Sequence, residues 1–586
     1  MRCSLALLGC AVACLLALLQ NPVGADEPAV PAVNHLVDAA LQKVWEAESV
    51  RPAELSSDAE FLRRVYLDTT GAPPTRAEAK AFLGDTDPAK REKLIDALVA
   101  DPRFGRYLAD YWTAAIRGRG AGQLNGSDLF AAWFAARVNA GAGFHEIWSE
   151  IVTAKGNLAD APAISVFFND NEPRDLRDVS GHLSKVLTGV QIQCAQCHKH
   201  PYENIEVADF NGMTSFFIGA VARVNNDIRP ARVTLTESDE NVRRIKEALR
   251  KRDSLPKDQQ ALVDLYAQFI KPRTLDGKGA ESQDPRRWRG ELARWLVGAG
   301  NRQTPRYIVN RTFALAFGRG LHEPVDDFNS YTSPSHPELL ETLTDWFVAQ
   351  GWDVRRLYAG LLKSRAWQLS SVVADKKAQP RHFASYPVRH LGPEQFIAAI
   401  VALADAEDLA QAVDAAKRKV FEDARKAAAE HAKQKEQGKL PDSERRISYD
   451  LETLAKYEKW VEAMPDDWLL RRTAAARYAR LASDDEMAES ESFTSSIDQA
   501  LAVMNGEFTN RISRVSEKSL LGRIFKEHRA ADDRIKELYL ALLFREPQAA
   551  ELQRALEFVN SGGPTQRNFE DLMFALLMTT EFATNH

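Results

Sequence analysis

The sequence predicts a mainly α-helical, two-domain protein with many helices and one small β-element near residues 215–235. Two observations support the helices. Apolar residues recur every three to four positions over most of the chain, which is the helical period. Glycines, prolines and helix-capping residues separate these segments. The stretch 215–235 differs, because apolar and β-branched residues flank the turn sequence Asn225-Asn226-Asp227, which favours two short strands.

The first 25 residues have the pattern of a secretory signal peptide. Arg2 is followed by the apolar run Cys3–Leu19, and Val23-Gly24-Ala25 supplies small residues for cleavage. A retained membrane anchor is the alternative, but the run is short for a span and a cleavage site follows it. We therefore expect an exported protein, periplasmic, cell-surface or secreted, with no integral membrane segment after cleavage.

Helical segments continue through residues 30–237, the predicted N-terminal domain. The first begins near Val33, and Phe61–Asp68 forms another that ends before Gly71. Thr75 and Glu78 have the spacing of a capping box, which marks a helix start. Further helices are predicted at 88–100, 103–117, 127–139, 144–154 and 175–190.

Residues 238–285 are polar and are predicted to form a helix and then a linker to a C-terminal domain over 286–586. We expect each domain to have its own core. A charged segment at about 407–464, broken by Gly438 and Pro441, is predicted to be an inserted helical hairpin. An acidic, loose stretch is expected at 481–492, with helices again from Ile497. Other helices of this domain are predicted at 304–317, 335–350, 353–364 and 393–404.

Composition and charge exclude one class of function. Signal cleavage removes Arg2 and moves the net charge from −6 to −7. A mildly acidic chain lacks the clustered basic surface that nucleic-acid binding requires. We therefore expect no nucleic-acid partner.

Cysteine usage gives the strongest chemical signal. Three of the five cysteines lie in the predicted signal peptide, which leaves Cys194 and Cys197, with His198 directly after them. This CxxCH spacing is that of c-type haem attachment, in which the two thiols form thioethers and the histidine is the proximal iron ligand. The sequence therefore predicts haem c at Cys194, Cys197 and His198.

Other chemistry at the same residues stays open. Cys194, Cys197 and His200 could instead hold zinc or another metal, with His198 as the alternative imidazole ligand. The two cysteines could also form a disulfide in an oxidising compartment. If haem is bound, the distal ligand is either His182, on the preceding helix, or Met213, which follows a predicted turn at Asn211-Gly212.

The chain resembles planctomycete-type exported proteins that pair two domains of unknown function, the first with a cytochrome-c-like motif. It differs from many of them in lacking a separate N-terminal cytochrome domain and in the length of its charged insert. The resemblance depends on short motifs in both halves of the chain: Phe61–Asp68, Gly71–Thr75, Asp101–Gly105, Gly189–His198, His200–Tyr202, Asp209-Phe210, Leu292–Trp295, Asn310-Arg311, Phe317–Gly320, Asp326–Phe328, His336–Leu340, Gly351-Trp352, Leu501–Asn505, Leu538–Leu540, Glu581-Phe582 and Asn585-His586.

These observations favour an exported haem c protein that transfers electrons or supports redox chemistry, together with a redox partner protein. One alternative is a non-enzymatic extracytoplasmic binding or scaffold protein with a structural metal site at the CxxCH motif. A third is an enzyme acting on polysaccharide, with carboxylates of the C-terminal domain as acid and base. The sequence leaves open whether the protein is an enzyme.

Overall fold

The computed structural model describes residues 31–118, 126–169, 172–404, 406–480, 512–562 and 565–586. The predicted signal peptide, the loose acidic stretch and the helix start at Ile497 lie outside these ranges. Within them the fold is mainly α-helical, as predicted, with only short strands. In the described ranges, no helix combines the length and apolar character needed to cross a membrane.

Seven helices cover most of the described residues between 31 and 153. Ser57 caps α2 by accepting a hydrogen bond from the Glu60 amide. The predicted capping box of Thr75 and Glu78 starts α3, and Asp101 caps α5. The helices are α1 Val33–Glu48, α2 Asp58–Thr70, α3 Arg76–Gly84, α4 Lys90–Ala100, α5 Pro102–Arg117, α6 Gly126–Asn139 and α7 Phe144–Thr153.

The predicted β-element is present. Strands β4 Ala220–Asn225 and β6 Arg232–Glu237 pair antiparallel, and β1 Gly156–Asn157 adds a third strand on the other side of β6. The short strands β2 Phe168–Asn169 and β3 Glu172–Pro173 form a separate pair. A fifth strand, β5 Ile228–Arg229, lies between β4 and β6 in sequence.

Two helices flank the CxxCH motif. Helix α8, Leu176–Thr188, precedes it and α9, Val207–Ser215, follows it. The prediction of a turn at Asn211-Gly212 is wrong, because both residues lie inside α9. A β-carbon at Gly212 would come within 2.8 Å of Arg273 Cβ, so close packing explains why a helix contains glycine here.

The polar stretch 238–285 contains more structure than one helix and a linker. It forms α10 Glu240–Arg250 and α11 Lys257–Ala267. The Arg273 amide donates to the Gly212 carbonyl at 3.1 Å, and Arg273 also forms an ion pair with Asp209. These contacts fix the stretch against α9.

In the described residues from 285 onward, the regular structure is helical apart from short strands. These helices are α12 Pro285–Val297, α13 Gln303–Phe317, α14 Pro337–Ala349, α15 Val354–Lys363, α16 Pro393–Val401, α17 Ala406–Glu436, α18 Leu451–Glu462, α19 Trp468–Arg480, α20 Leu520–Glu527, α21 Ala531–Leu543, α22 Ala549–Val559, α23 Thr565–Leu577 and α24 Thr580–Ala583. The strands are β7 Arg389–His390, β8 Ser448–Tyr449 and β9 Thr584–Asn585.

Helices α17 and α18 occupy the segment predicted to be a charged hairpin, and Gly438 between them has φ +64°. The segment is docked on the N-terminal half. Strand β8 pairs with β5, Arg232 and Asp450 form an ion pair at 2.9 Å, and the Trp460 indole donates to the Ala159 carbonyl at 2.9 Å.

The largest hydrophobic core includes residues from both predicted domains, from Val33 to Leu235 and from Trp288 to Phe383. A second core combines Leu67 with residues of α16 and of the C-terminal helices. The arrangement therefore differs from the expectation of one core per domain, because apolar faces of the two halves pack on each other. The domain boundaries themselves stay a prediction.

Helix α2 also binds the C-terminal residues through two buried arginines. Arg63 donates to the carbonyls of Phe582, at 2.8 Å, and Thr584, at 3.0 Å. Arg64 donates to the carbonyls of Trp367, at 2.7 Å, and His586, at 3.2 Å. Buried guanidinium groups need such partners, so these bonds hold α2 to the last residues of the chain and to the segment at Trp367.

Candidate functional site: the cysteine loop

The cysteine loop, residues 189–206, connects α8 to α9. Gly189 ends α8 with φ +70°. A β-carbon there would lie 2.6 Å from Tyr307 Cδ2 and 2.9 Å from Phe328 Cδ2. The Gly189 carbonyl accepts a hydrogen bond from the Phe328 amide at 2.8 Å. Glycine is therefore required both for the left-handed backbone and for the close approach to the C-terminal half.

The first part of the loop is anchored in the interior while its thiols face solvent. Ile192 and Ala195 are fully buried, and the Ala195 amide donates to the Ile192 carbonyl at 2.9 Å. This bond closes the short helical turn Gln193–Gln196. Cys194 and Cys197 are exposed and are free thiols. Both sulfurs are thus accessible for reaction on a backbone that is held in place.

The two histidines of the loop differ in which ring nitrogen is available. His198 is exposed, and its Nδ1 lies 2.7 Å from the Lys199 carbonyl oxygen. Since only a protonated nitrogen bonds to a carbonyl, this contact puts the hydrogen on Nδ1 of the neutral ring and leaves the lone pair on Nε2. Metal-ligating histidines commonly make such a bond with their other nitrogen.

His200 has the opposite arrangement. Its Nδ1 accepts hydrogen bonds from the amides of Tyr202, at 3.3 Å, and Glu203, at 2.9 Å. The hydrogen of the neutral ring is then on Nε2, and neither nitrogen offers a free lone pair to zinc. The described residues contain no group of three or more His, Cys, Asp or Glu side chains placed to hold a metal ion. The zinc alternative stays a prediction.

The far side of the loop contacts a segment of the C-terminal half. Glu203 accepts hydrogen bonds from the Ser330 amide, at 2.7 Å, and hydroxyl, at 2.9 Å. The Tyr331 hydroxyl donates to the Tyr202 carbonyl at 2.9 Å, and the two exposed rings pack edge to face. Together with the Gly189–Phe328 bond, these contacts fix the cysteine loop at both ends.

The two candidates for a distal ligand have other roles in the structure. The His182 ring bonds to the Ile116 carbonyl through Nε2 at 2.6 Å, and burial lowers the pKa of His182 to about 4. Met213 is buried in the largest core. The helices that carry them, α8 and α9, both pack against the turn of the cysteines. The choice of a distal ligand stays a prediction.

A second site has no counterpart in the sequence predictions. A cavity of about 480 Å³ lies where α2, α5, α13 and the segment before α16 meet. Four carboxylates and three guanidinium groups line it. Burial raises the pKa of three of the carboxylates, those of Asp68, Asp110 and Glu323. Arg389 opposes the shift at Asp68, and Arg472 opposes it at Asp110. The charged lining residues are Asp68, Arg106, Asp110, Arg319, Glu323, Arg389 and Glu394.

The cavity residues come from positions 68 to 585, so no local motif joins them. One feature of the sequence could have pointed to the cavity, because five of its lining residues belong to the short motifs of the family resemblance. These residues are Asp68, Gly71, Gly318, Arg319 and Asn585. The structure brings these motifs of the two halves to one place.

Comparison with known families finds two matches. Residues 36–221 match the family described as PSCyt2: Protein of unknown function (DUF1549). Residues 288–559 match the family described as PSD1: Protein of unknown function (DUF1553). No curated protein and no solved structure matches the chain.

Proposed function

The chain belongs to the proteins that pair these two families of unknown function, and from its own residues we propose a function. We propose that it is an exported c-type haem protein that transfers electrons to or from a partner. Cys194 and Cys197 would hold the haem by thioether bonds, and His198 would bind its iron. Haem bound there would supply one-electron redox chemistry.

The main support is the combination of two exposed free thiols with a histidine whose Nε2 faces no competing partner among the described residues. Thioether formation requires thiols that the haem vinyl groups can reach. Iron ligation requires an imidazole with an unprotonated nitrogen. The Lys199 carbonyl orients the His198 ring and fixes its tautomer, so the chain itself prepares the imidazole for iron binding.

The rest of the loop supports the same role through its rigidity. Ile192 and Ala195 fix the inner side, and the Glu203–Ser330 and Tyr202–Tyr331 contacts fix the outer side. A rigid attachment site lowers the reorganisation energy of the electron transfer that changes the iron charge. Exposure of the thiols leaves the site open to a redox partner.

The test is expression in a host with a working haem-attachment system, followed by haem staining after denaturing electrophoresis. Wild type should stain, and the double variant Cys194→Ala, Cys197→Ala should not. An unstained wild type with stoichiometric zinc by metal analysis, or with a Cys194–Cys197 disulfide by mass spectrometry, would overturn the proposal.

A matched pair of histidine variants tests the assignment of the iron ligand. His198→Ala should keep the covalent stain at least in part but change the optical spectrum and the reduction midpoint. His200→Ala, two residues away, should keep the wild-type optical spectrum and reduction midpoint, because the Nδ1 of His200 binds only backbone amides. Equal spectra for wild type and His198→Ala would show that His198 is not the ligand.

A further inference from the structure

Two exposed tyrosine rings lie in contact with each other on the surface of the cysteine loop. Tyr202 is 68% exposed and Tyr331 is 63% exposed, and their ring centroids are 5.3 Å apart at an angle of 84°. One ring belongs to the cysteine loop and the other to the segment that contacts it. These two rings form the tyrosine pair. Single exposed apolar residues are ordinary, whereas neighbouring exposed aromatic rings are typical of interaction sites.

Hydrogen bonds hold the tyrosine pair in one arrangement. The His200 amide donates to the Ile205 carbonyl at 2.9 Å, which closes a tight loop that contains Tyr202. The Tyr331 amide donates to the Asn329 side chain at 3.0 Å, and the Tyr331 hydroxyl donates to the Tyr202 carbonyl at 2.9 Å. Groups that are already ordered lose little conformational entropy when a partner binds. Ordered tyrosines are for this reason frequent among the residues that contribute most to protein interfaces.

The tyrosine pair is close to the residues proposed to hold haem. Four residues separate His198 from Tyr202, so their α-carbons are at most about 14 Å apart even if the chain between them were fully extended. The His200 ring, which lies between them in sequence, packs against the Tyr202 ring with the centroids 6.4 Å apart. A protein docked on the tyrosine pair would therefore be close to a redox group bound at His198.

The surface around the tyrosine pair has few charges, and they do not share one sign. The exposed side chains of residues 193–206 and 328–335 include one lysine, Lys199, one glutamate, Glu206, and neither arginine nor aspartate. Lys199 and Glu206 form an ion pair with each other at 2.6 Å. The half-buried Glu203 carboxylate accepts hydrogen bonds from the amide and hydroxyl of Ser330. This surface therefore provides no patch of one charge to attract an oppositely charged partner.

On the basis of the proposed function, we propose that the tyrosine pair is the docking surface for the redox partner. The partner is a protein with an uncharged, apolar surface around its own redox group. A ring of lysines or carboxylates on the partner would find no complementary charge here, whereas an apolar surface can pack on the two rings. The contact is small, as electron-transfer interfaces generally are, so the partner can leave after each transfer.

The experiment follows electron transfer from the reduced, haem-loaded mature chain to a small blue-copper protein whose copper lies under an uncharged apolar patch. One electron leaves the ferrous haem and reduces Cu(II) to Cu(I), and no proton moves. Stopped-flow absorbance gives the second-order rate constant. It should change by less than about twofold between about 20 mM and about 500 mM sodium chloride, because screening has little effect on a contact between uncharged surfaces.

Variants of Tyr202 separate docking from damage to the haem site. Each rate with the blue-copper protein is divided by the rate with hexacyanoferrate(III), a small oxidant that needs no protein docking surface. Tyr202→Ser removes one ring but keeps the carbonyl that Tyr331 binds, and it should lower this ratio about fivefold or more, as loss of an interface anchor does. Tyr202→Phe keeps the ring and should keep the ratio. Tyr266→Ser removes a tyrosine of α11 that is 49% exposed and should also keep it.

The outcomes distinguish failure of the docking surface from failure of the proposed function. Absence of covalent haem in wild type would overturn both. With haem present, an equal ratio for wild type and Tyr202→Ser would overturn the docking surface alone. A wild-type rate that falls steeply with salt would do the same, because it would indicate docking through charged groups. A wild-type dimer in analytical ultracentrifugation that Tyr202→Ser dissociates would show that a second copy of the chain covers the tyrosine pair instead.

Discussion

The cysteine loop and the group around Asp68 place reactive side chains in opposite surroundings. Asp68 is 1% exposed and has three side-chain partners, Tyr386, Arg389 and Asn585. Cys194 and Cys197 are exposed and free. In the first region the ionisable groups are fixed by one another and stabilise the fold. In the second the backbone is fixed and the side chains are available. Substitution should therefore damage stability in the first region and chemistry in the second.

The largest effect is expected from Asp68→Ala. Removal of this carboxylate leaves Arg389 in a buried setting without its anion, and breaking a buried pair from one side costs roughly 3–5 kcal/mol. We expect a fall of several degrees in the midpoint of thermal unfolding measured by circular dichroism, or loss of soluble protein. The control Asp253→Ala removes a carboxylate that is 97% exposed and should change the midpoint very little. Equal midpoints for both variants would contradict the difference between the regions.

A somewhat smaller effect is expected at Gly189, where the loop meets the C-terminal half. Alanine there would be strained at φ +70° and would overlap Tyr307 and Phe328. Strain and overpacking together cost roughly 2–4 kcal/mol. Gly290→Ala is the matched control, because Gly290 lies inside α12 with nothing within 4 Å of a new β-carbon. It should stabilise the protein by about 0.5–1 kcal/mol.

The same two variants also test whether the loop position matters for haem. If the contacts at Gly189 hold the cysteines in place, Gly189→Ala should reduce haem staining per mole of protein, and Gly290→Ala should not. Normal staining together with reduced stability would show that haem attachment does not need the loop to be fixed at this end.

Local signals predicted much of the fold. The capping box of Thr75 and Glu78 and the proline and glycine boundaries placed most helices within two or three residues. The prediction failed at Asn211-Gly212, where the dipeptide favours a turn but packing of Gly212 against Arg273 keeps the chain helical. It also missed α11, whose apolar residues are mostly exposed: Val263 is buried, but Leu262 and Leu265 are each 50% exposed.

The sequence identified one of the two candidate sites and missed the other. The CxxCH motif is local, so the sequence alone identified it. The cavity combines residues separated by more than 500 positions, such as Asp68 and Asn585. No periodicity or spacing rule connects such positions, which meet where Arg63 and Arg64 of α2 bind the last residues of the chain.

Another prediction concerns the stability of the protein at acidic pH. Burial, helped by Arg381, lowers the pKa of His336 from 6.5 to about 4 in the folded protein. In the unfolded chain this histidine takes up a proton below about pH 6.5, while the folded form stays neutral until about pH 4. His336 therefore has no effect on the free energy of unfolding above pH 6.5, and it lowers that free energy progressively as the pH falls from 6.5 to 4. The full shift corresponds to about 3 kcal/mol, and solvent screening reduces the expected loss to about 1–2 kcal/mol.

The variant His336→Asn should remove that dependence. His336 is at the N-cap of α14 and its side chain makes no capping bond, whereas asparagine is a favourable capping residue and does not titrate. Unfolding midpoints measured between pH 4 and pH 7.5 should fall less steeply for the variant than for wild type. Parallel curves would show that His336 does not take up a proton on unfolding in this range.

The smallest effect is expected where the chemistry is proposed to occur. In protein made without a haem-attachment system, Cys194→Ser, Cys197→Ser should leave the unfolding midpoint within about 1 °C of wild type, because substitutions of exposed side chains usually change stability by less than about 0.5 kcal/mol. The backbone of the loop depends on Gly189, Ile192, Ala195 and Glu203, none of which changes. A large fall would mean that the thiols hold the loop through a disulfide or a metal ion, since either adds stability that serine cannot replace. Repeating the measurement with a reducing agent and then with a chelator separates those two causes, because each treatment lowers the wild-type midpoint in one case only. An unchanged midpoint, combined with loss of haem staining when the same variant is made in a host with a haem-attachment system, would place the function of these cysteines in reactivity alone.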